Sequence, residues 1–204
     1  MRKIPLSDLL DEIRQCQQCK EQLPNPPRPV IRAASTARLL IIGQAPGTRV
    51  QASGIPWDDP SGVRLRQWLK MSPEQFYNED NVAIMPMGFC YPGKGKSGDL
   101  PPRPECAPCW HQPILEHLPN IQLTLLIGQY AQNHYLPDDF RMAYRTLTER
   151  VQHWQEVPEP FFVLPHPSPR NQIWLKKHSW FETEVIPALR LRLHAMANRS
   201  QQER

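Results

Sequence analysis

Glycine is scarce in this 204-residue chain, at 9 copies, fewer than the roughly 7% of ordinary globular sequences would supply. Long apolar runs are missing: none exceeds Leu39-Leu40-Ile41-Ile42, far short of the about 20 residues that cross a bilayer, so no transmembrane helix is expected. No apolar stretch follows Met1-Arg2-Lys3-Ile4-Pro5, where Asp8, Asp11 and Glu12 come instead. A secretory signal is therefore not expected, and a cytoplasmic, reducing location is. Charge is nearly balanced, with 24 Lys and Arg against 20 Asp and Glu, a formal +4. That permits an anionic partner, whereas a protein that wraps a polyanion is usually more basic. Proline is the opposite case, at 24 copies against a typical ~5%, and predicts stiff loops. The length suits one domain with a real core, read as 1–204. Five cysteines, an odd number, include two Cys-x-x-Cys pairs, a spacing that in a reducing compartment favours metal or redox chemistry over disulfides.

Leu6, Leu9, Leu10 and Ile13 recur at helical spacing, with Ser7 as a candidate cap, and lead into Cys16 and Cys19. Residues 23–34 are Pro-rich and irregular. Arg38-Leu39-Leu40-Ile41-Ile42-Gly43 reads as a fully buried strand that breaks at glycine. Ser61 is a candidate cap for a helix carrying Val63, Trp68 and Leu69, and Asn81-Val82-Ala83-Ile84-Met85 reads as a second strand. Residues 106–117 form a short helical candidate, 123–128 a third strand, 140–151 a helix and 161–164 a fourth strand. A last helix follows Asn171. This alternation predicts an α/β fold, a three-layer α/β/α sandwich around a central four-stranded parallel sheet. Ligands in such sheets bind beyond the carboxyl ends of the strands, which places the site among residues 44–59, 86–105, 165–171 and the segment from Gln129 onward. Roughly 196–204 is expected to be a frayed tail.

Two turns stand at those strand ends. Gly43-Gln44-Ala45-Pro46-Gly47 follows the first strand, and His166-Pro167-Ser168-Pro169-Arg170-Asn171 follows the last. Singly, each is ordinary loop punctuation. Together they resemble the uracil-DNA glycosylase superfamily, whose first motif is a Gly-x-x-Pro turn after the first strand and whose second is a His-Pro-Ser loop after the last. The resemblance covers most of the chain. It is closest to the iron-sulphur branch, which has Gly-Glu-x-Pro-Gly in the first motif and four cysteines spaced like Cys16, Cys19, Cys90 and Cys106. The stretch from Leu125 to Ala131 is similar to that branch's third strand and turn. The longer His166 loop is similar to the single-strand-selective branch instead.

The resemblance implies a monomer acting on DNA, single-stranded or damaged duplex, with no membrane partner. An excised base must leave the stack for a pocket with an aromatic platform, hydrogen-bond donors and a phosphate grip. Trp57 stands where relatives carry the stacking phenylalanine, although loop packing alone also accounts for a tryptophan there. His166 can donate to an oxygen of the departing anionic base. Gln44, Ala45 and Pro86 complete the base-binding set. Ser168, Asn171 and the backbone beside it, with Lys94 and Lys96, are candidates for phosphate contacts; Arg170 joins them or fills the gap left by the flipped base. Arg103, Lys176 and Lys177 extend the basic surface. The first-motif carboxylate of relatives is absent, its two variable positions being Gln44 and Ala45. Gln44 can orient a water but cannot take its proton, so Asp58 or Asp59 would have to reach in. The asparagine with which relatives read uracil is Pro86 here, leaving the base open.

Four thiolates suit a 4Fe-4S cluster or tetrahedral zinc. The resemblance favours a cluster on Cys16, Cys19, Cys90 and Cys106, while Cys109 in place of Cys90 would make a zinc set. His111 is a substitute ligand or a helix-face histidine. The expected activity is removal of a damaged, deaminated base by hydrolysis of its N-glycosidic bond. The alternatives are a non-catalytic nucleic-acid-binding member of the fold and a metal-clamped interaction module.

Overall fold

Residues 39–42 are apolar without interruption and are all buried, as a strand covered on both faces requires. The computed structural model describes residues 4–202, with side chains to 198. Helix α1 (Leu6–Arg14) buries Leu9, Leu10 and Ile13; it starts after Pro5, so Ser7 lies inside the first turn and does not cap it. Strand β1 (Leu39–Ile42) is followed by α2 (Thr48–Ser53), a short helix that the sequence pattern did not reveal. Helix α3 (Pro60–Leu69) is capped by Asp59, whose carboxylate accepts the Gly62 N–H, and not by Ser61, which lies buried within the first turn. Helix α4 (Pro73–Phe76) carries a reciprocal Ser72/Gln75 capping box and leads to β2 (Val82–Ile84). A two-stranded hairpin, β3 (Lys94–Gly95) and β4 (Gly98–Asp99), then projects from the long loop before Cys106.

The expected helix at 106–117 begins as a wide π turn over Ala107–His111 before tightening into α5 (Gln112–Leu115). Strand β5 (Leu123–Ile127) runs into α6 (Gln129–Tyr135). The single helix expected at 140–151 is two, α7 (Asp138–Ala143) and α8 (Leu147–Gln152), because Tyr144 is extended and Thr146 starts a new capping box with Glu149. After β6 (Phe161–Leu164) the last helix is also divided: α9 (Gln172–Lys177) stops at His178, and a π turn over Phe181–Val185 opens α10 (Ile186–Gln202). The expected frayed tail is helical to Gln202; residues 203–204 lie outside the described residues.

The sheet has the order β2-β1-β5-β6 and is parallel throughout. One apolar cluster runs from Leu9 to Leu193 and includes every residue of β1 and β2. Inside it, Trp68 and Phe181 pack edge to face, while Arg190 hydrogen-bonds the carbonyls of Gln67 and Trp68 that end α3. All four strands therefore end on one side, and Gly43, Pro86 and His166, just beyond the ends of β1, β2 and β6, line a common cavity.

Candidate active site

The first turn is fixed by backbone bonds that prolong the sheet. Met85 donates to the Ile41 carbonyl, Met87 to that of Gly43 at 2.9 Å, and Gly88 to that of Gln44 at 2.9 Å. Beyond these ends lies an open cavity of about 530 Å³ lined by Gln44, Ala45, Trp57, Pro86, His166 and the residues around them.

Trp57 reaches this cavity from a loop that only particular neighbours permit. Its φ is +58°, unusual for a bulky side chain. A Cβ on Gly62 would lie 1.7 Å from the Trp57 carbonyl oxygen, and one on Gly43 would lie 2.7 Å from the indole. The loop is held from behind by Arg28, whose guanidinium bonds the carbonyls of Gln51, Ala52 and Ser53 at the end of α2. Tyr77 donates to the Pro56 carbonyl and Arg66 to that of Trp57.

The Trp57 and His166 rings lie 5.6 Å apart, tilted by 33°. Burial lowers the His166 pKa from its ordinary value, with Asp59 pulling weakly the other way, so the imidazole is neutral near pH 7 and carries one N–H. The His166 carbonyl accepts the Asn171 amide at 2.7 Å; Ser168 Oγ accepts the Arg170 N–H, and Arg64 bonds the Ser168 carbonyl. Asn171 and Ser168 thus shape the His166 loop from inside. The Arg170 guanidinium donates to the Ser97 carbonyl at 3.0 Å.

The structure brings Gln44, Ala45, Trp57, Pro86, His166, Ser168, Arg170 and Asn171 to one cavity. Lys94 and Lys96 lie on the hairpin and do not line it, whereas Ser97, Gly98, Asp99 and Leu100 of the same hairpin do. Asp59 lines it; Asp58 lies in a neighbouring shallow groove with Arg49 and Arg66. Arg103 is ion-paired with Glu105 beside Cys19, away from this cavity.

A family model described as the uracil DNA glycosylase superfamily matches residues 31–190. The chain belongs to that superfamily. Members of the uracil DNA glycosylase superfamily act on DNA, and most are glycosylases. The match spans both turns that frame the cavity and leaves the first cysteine pair outside it.

Sequence reasoning missed the support beneath Pro86. His111 is buried, and its Nε2 donates to the Pro86 carbonyl at 3.1 Å while its Nδ1 accepts the Tyr135 hydroxyl. A carbonyl only accepts, so this pairing fixes the tautomer. Burial lowers the His111 pKa to about 4 and raises that of Tyr135. His111 is thus a helix-face histidine, turned inward, whose two ring nitrogens are taken up as a strut behind the cavity wall.

Cys16, Cys19, Cys90 and Cys106 line one small cavity with Phe89 and Trp110, and none is in a disulfide; Cys109 is exposed and lies outside it. Burial pushes Cys90 up to about 12 and Cys106 to about 11, and the neighbouring thiols push both the same way. Among the described residues, no three His, Cys, Asp or Glu side chains form a set that would grip a single metal ion. No helix among them is long and apolar enough to cross a membrane.

Proposed function

We propose that this chain is a DNA glycosylase that takes a damaged, deaminated base out of DNA into the Trp57–His166 cavity and hydrolyses its N-glycosidic bond. The observation that carries the reading is the tilted pairing of those two rings at the carboxyl ends of the sheet. An indole offers a flat apolar face on which any base can stack. The imidazole N–H, in a neutral ring, can donate to a base oxygen as negative charge develops there. Gln44 offers an amide to orient water. When the bond breaks, its electron pair leaves with the base, the water oxygen joins the sugar carbon, and the proton that water loses is balanced by protonation of the base anion from solvent.

The protein is expected to work as a monomer in the cytoplasm. Free thiols accord with a reducing compartment. Cys16, Cys19, Cys90 and Cys106 are the residues that would hold a metal centre. Four soft donors around one cavity suit a 4Fe-4S cluster, with tetrahedral zinc as the alternative. Such a centre would contribute structural closure of the amino-terminal segment onto the loops after β2.

A panel of single- and double-stranded oligonucleotides carrying deaminated bases, scored for abasic sites and for binding, tests the reading. Excision that His166→Ala reduces supports it. Binding with no excision favours a recognition protein, as the absence of a carboxylate between Gly43 and Gly47 would allow. Neither outcome on any substrate removes DNA from the account and leaves a metal-clamped interaction module.

A further inference from the structure

The hydrolysis proposed above requires two opposite charges to be stabilised: an anion on the departing base and a cation on the sugar. His166 serves the first. The first turn, with Gln44 and Ala45, offers nothing anionic to the second. The cavity lining nevertheless contains two carboxylates, Asp59 and Asp99. Asp59 is committed: it caps α3 through the Gly62 N–H at 2.8 Å, and its charge bears on His166. Asp99 caps no helix among the described residues, and the group its charge bears on is Tyr91. It closes β4, is exposed toward the cavity, and makes no side-chain hydrogen bond among the described residues. It also faces the turn that lacks a carboxylate, since a Cβ on Gly47 would stand 3.6 Å from Asp99 Oδ2, in van der Waals contact.

The hairpin is built to hold it there. Arg170, from the His166 loop, donates to the Ser97 carbonyl at 3.0 Å. Gly98 follows at φ +148°, and a Cβ on it would lie 2.4 Å from the Arg170 guanidinium. That φ favours glycine, and a side chain there would also have to push the guanidinium aside. One side chain therefore ties the loop bearing the imidazole to the hairpin bearing the carboxylate.

We infer that Asp99 is the catalytic carboxylate of this site, supplied by the β3–β4 hairpin instead of the first turn, and that Arg170 is its positioning residue. In the step this assigns, water oxygen bonds to the sugar C1′ as the C1′–N bond breaks with its electron pair going to the base. Asp99 takes the water proton and then releases it to solvent, from which the base anion is protonated. Before that transfer its negative charge faces the cationic sugar. This rests on the glycosylase reading, but it can be measured apart from excision.

The test compares binding of DNA containing a cationic pyrrolidine abasic-site analogue with binding of DNA containing the neutral tetrahydrofuran analogue, by fluorescence anisotropy. The wild-type protein is expected to prefer the cationic form by about tenfold, the order of one charge-assisted contact. Asp99→Asn should abolish that preference while retaining affinity for the neutral form, which also certifies its fold. Asp59→Asn should keep the preference. Arg170→Gln should weaken it, and because the ratio cancels any phosphate contact, a general drop in DNA affinity cannot mimic that result. An unchanged ratio in Asp99→Asn, a ratio that disappears equally in Asp59→Asn, or no preference in the wild type overturns the assignment. Absence of excision by the wild type sinks the glycosylase reading separately, since the ratio reports on Asp99 whether or not a base is released.

Discussion

The indole of Trp57 lies against the Cα of Gly43, occupying the space a side chain at residue 43 would fill. The indole can take this place in the cavity wall because the first strand ends in glycine, and one contact couples the first turn to the loop before α3. Gly43→Ala is expected to displace the indole and lower excision at least as far as Trp57→Ala does. Gly62→Ala meets backbone instead, at the Trp57 carbonyl, and should cost at least about 2 kcal/mol of stability. Urea unfolding alongside single-turnover excision separates the two.

His166→Ala should lower single-turnover excision by about 10²- to 10³-fold, as expected when one donor to a developing anion is removed. Binding of the same DNA should change much less. A comparable loss from Asp59→Asn, without loss of α3 stability, would show that the histidine is not the principal group.

Acid should weaken the fold through His111. Its folded pKa of about 4 lies below the ordinary 6.5, so between those values the unfolded chain binds a proton that the folded chain refuses. Stability is full above pH 6.5 and falls as pH drops toward 4, by up to about 3 kcal/mol in total. Burial lowers His166 in the same direction. The His111→Gln variant should be less stable at pH 7 and lose less on acidification, measured as urea midpoints from pH 7.5 to 4.5. A parallel pH dependence in variant and wild type would rule out the buried strut.

Much of the sheet was legible because its strands are unbroken apolar runs, and a run such as 39–42 buried on both faces has little other use. The two strand-end turns were legible for the same reason: each directly follows such a run. The helices were read less well. Ser61 offers the same capping chemistry as Asp59, and nothing local says which backbone N–H each will meet. Tyr144 and His178 interrupt helices without the proline or glycine that normally signals a break. Asp99 and His111 were hidden for another reason. Their roles depend on proximity to Gly47 and Pro86, and no periodicity carries that information. The Lys94–Lys96 stretch drew attention for its charge, while its neighbours Ser97, Gly98 and Asp99 are the ones facing the cavity.

Those lysines still make a prediction. Carried on the hairpin outside the cavity lining, Lys94 and Lys96 are expected to contact a backbone phosphate. Replacing both by alanine should reduce the slope of log affinity against log salt for single-stranded DNA by about 0.7 for each phosphate no longer neutralised. The preference for the cationic abasic analogue should be unaffected.

For the cysteines, anaerobically purified protein is expected to be brown and to contain iron. Cys90→Ser should lose both colour and solubility, while Cys109→Ser, whose thiol is exposed outside the four-cysteine cavity, should keep them. Colourless protein with one equivalent of zinc would replace the cluster, and dependence on Cys109 would replace the set of ligands.

The strand order has a consequence for how the chain reaches this state. Leu39 pairs with Val82 on one side and Leu123 on the other, and Thr124 pairs with Phe161. Every ladder of this sheet thus joins segments far apart along the chain, and loop closure must precede the contacts that reward it, so folding should be slow for the chain's length. During synthesis β5 emerges well before β6. Until Leu164 has left the ribosome, the buried run 123–127 presents an unpaired apolar edge of the kind that recruits other chains. Truncations ending between residues 128 and 160 should therefore aggregate instead of forming a smaller soluble sheet.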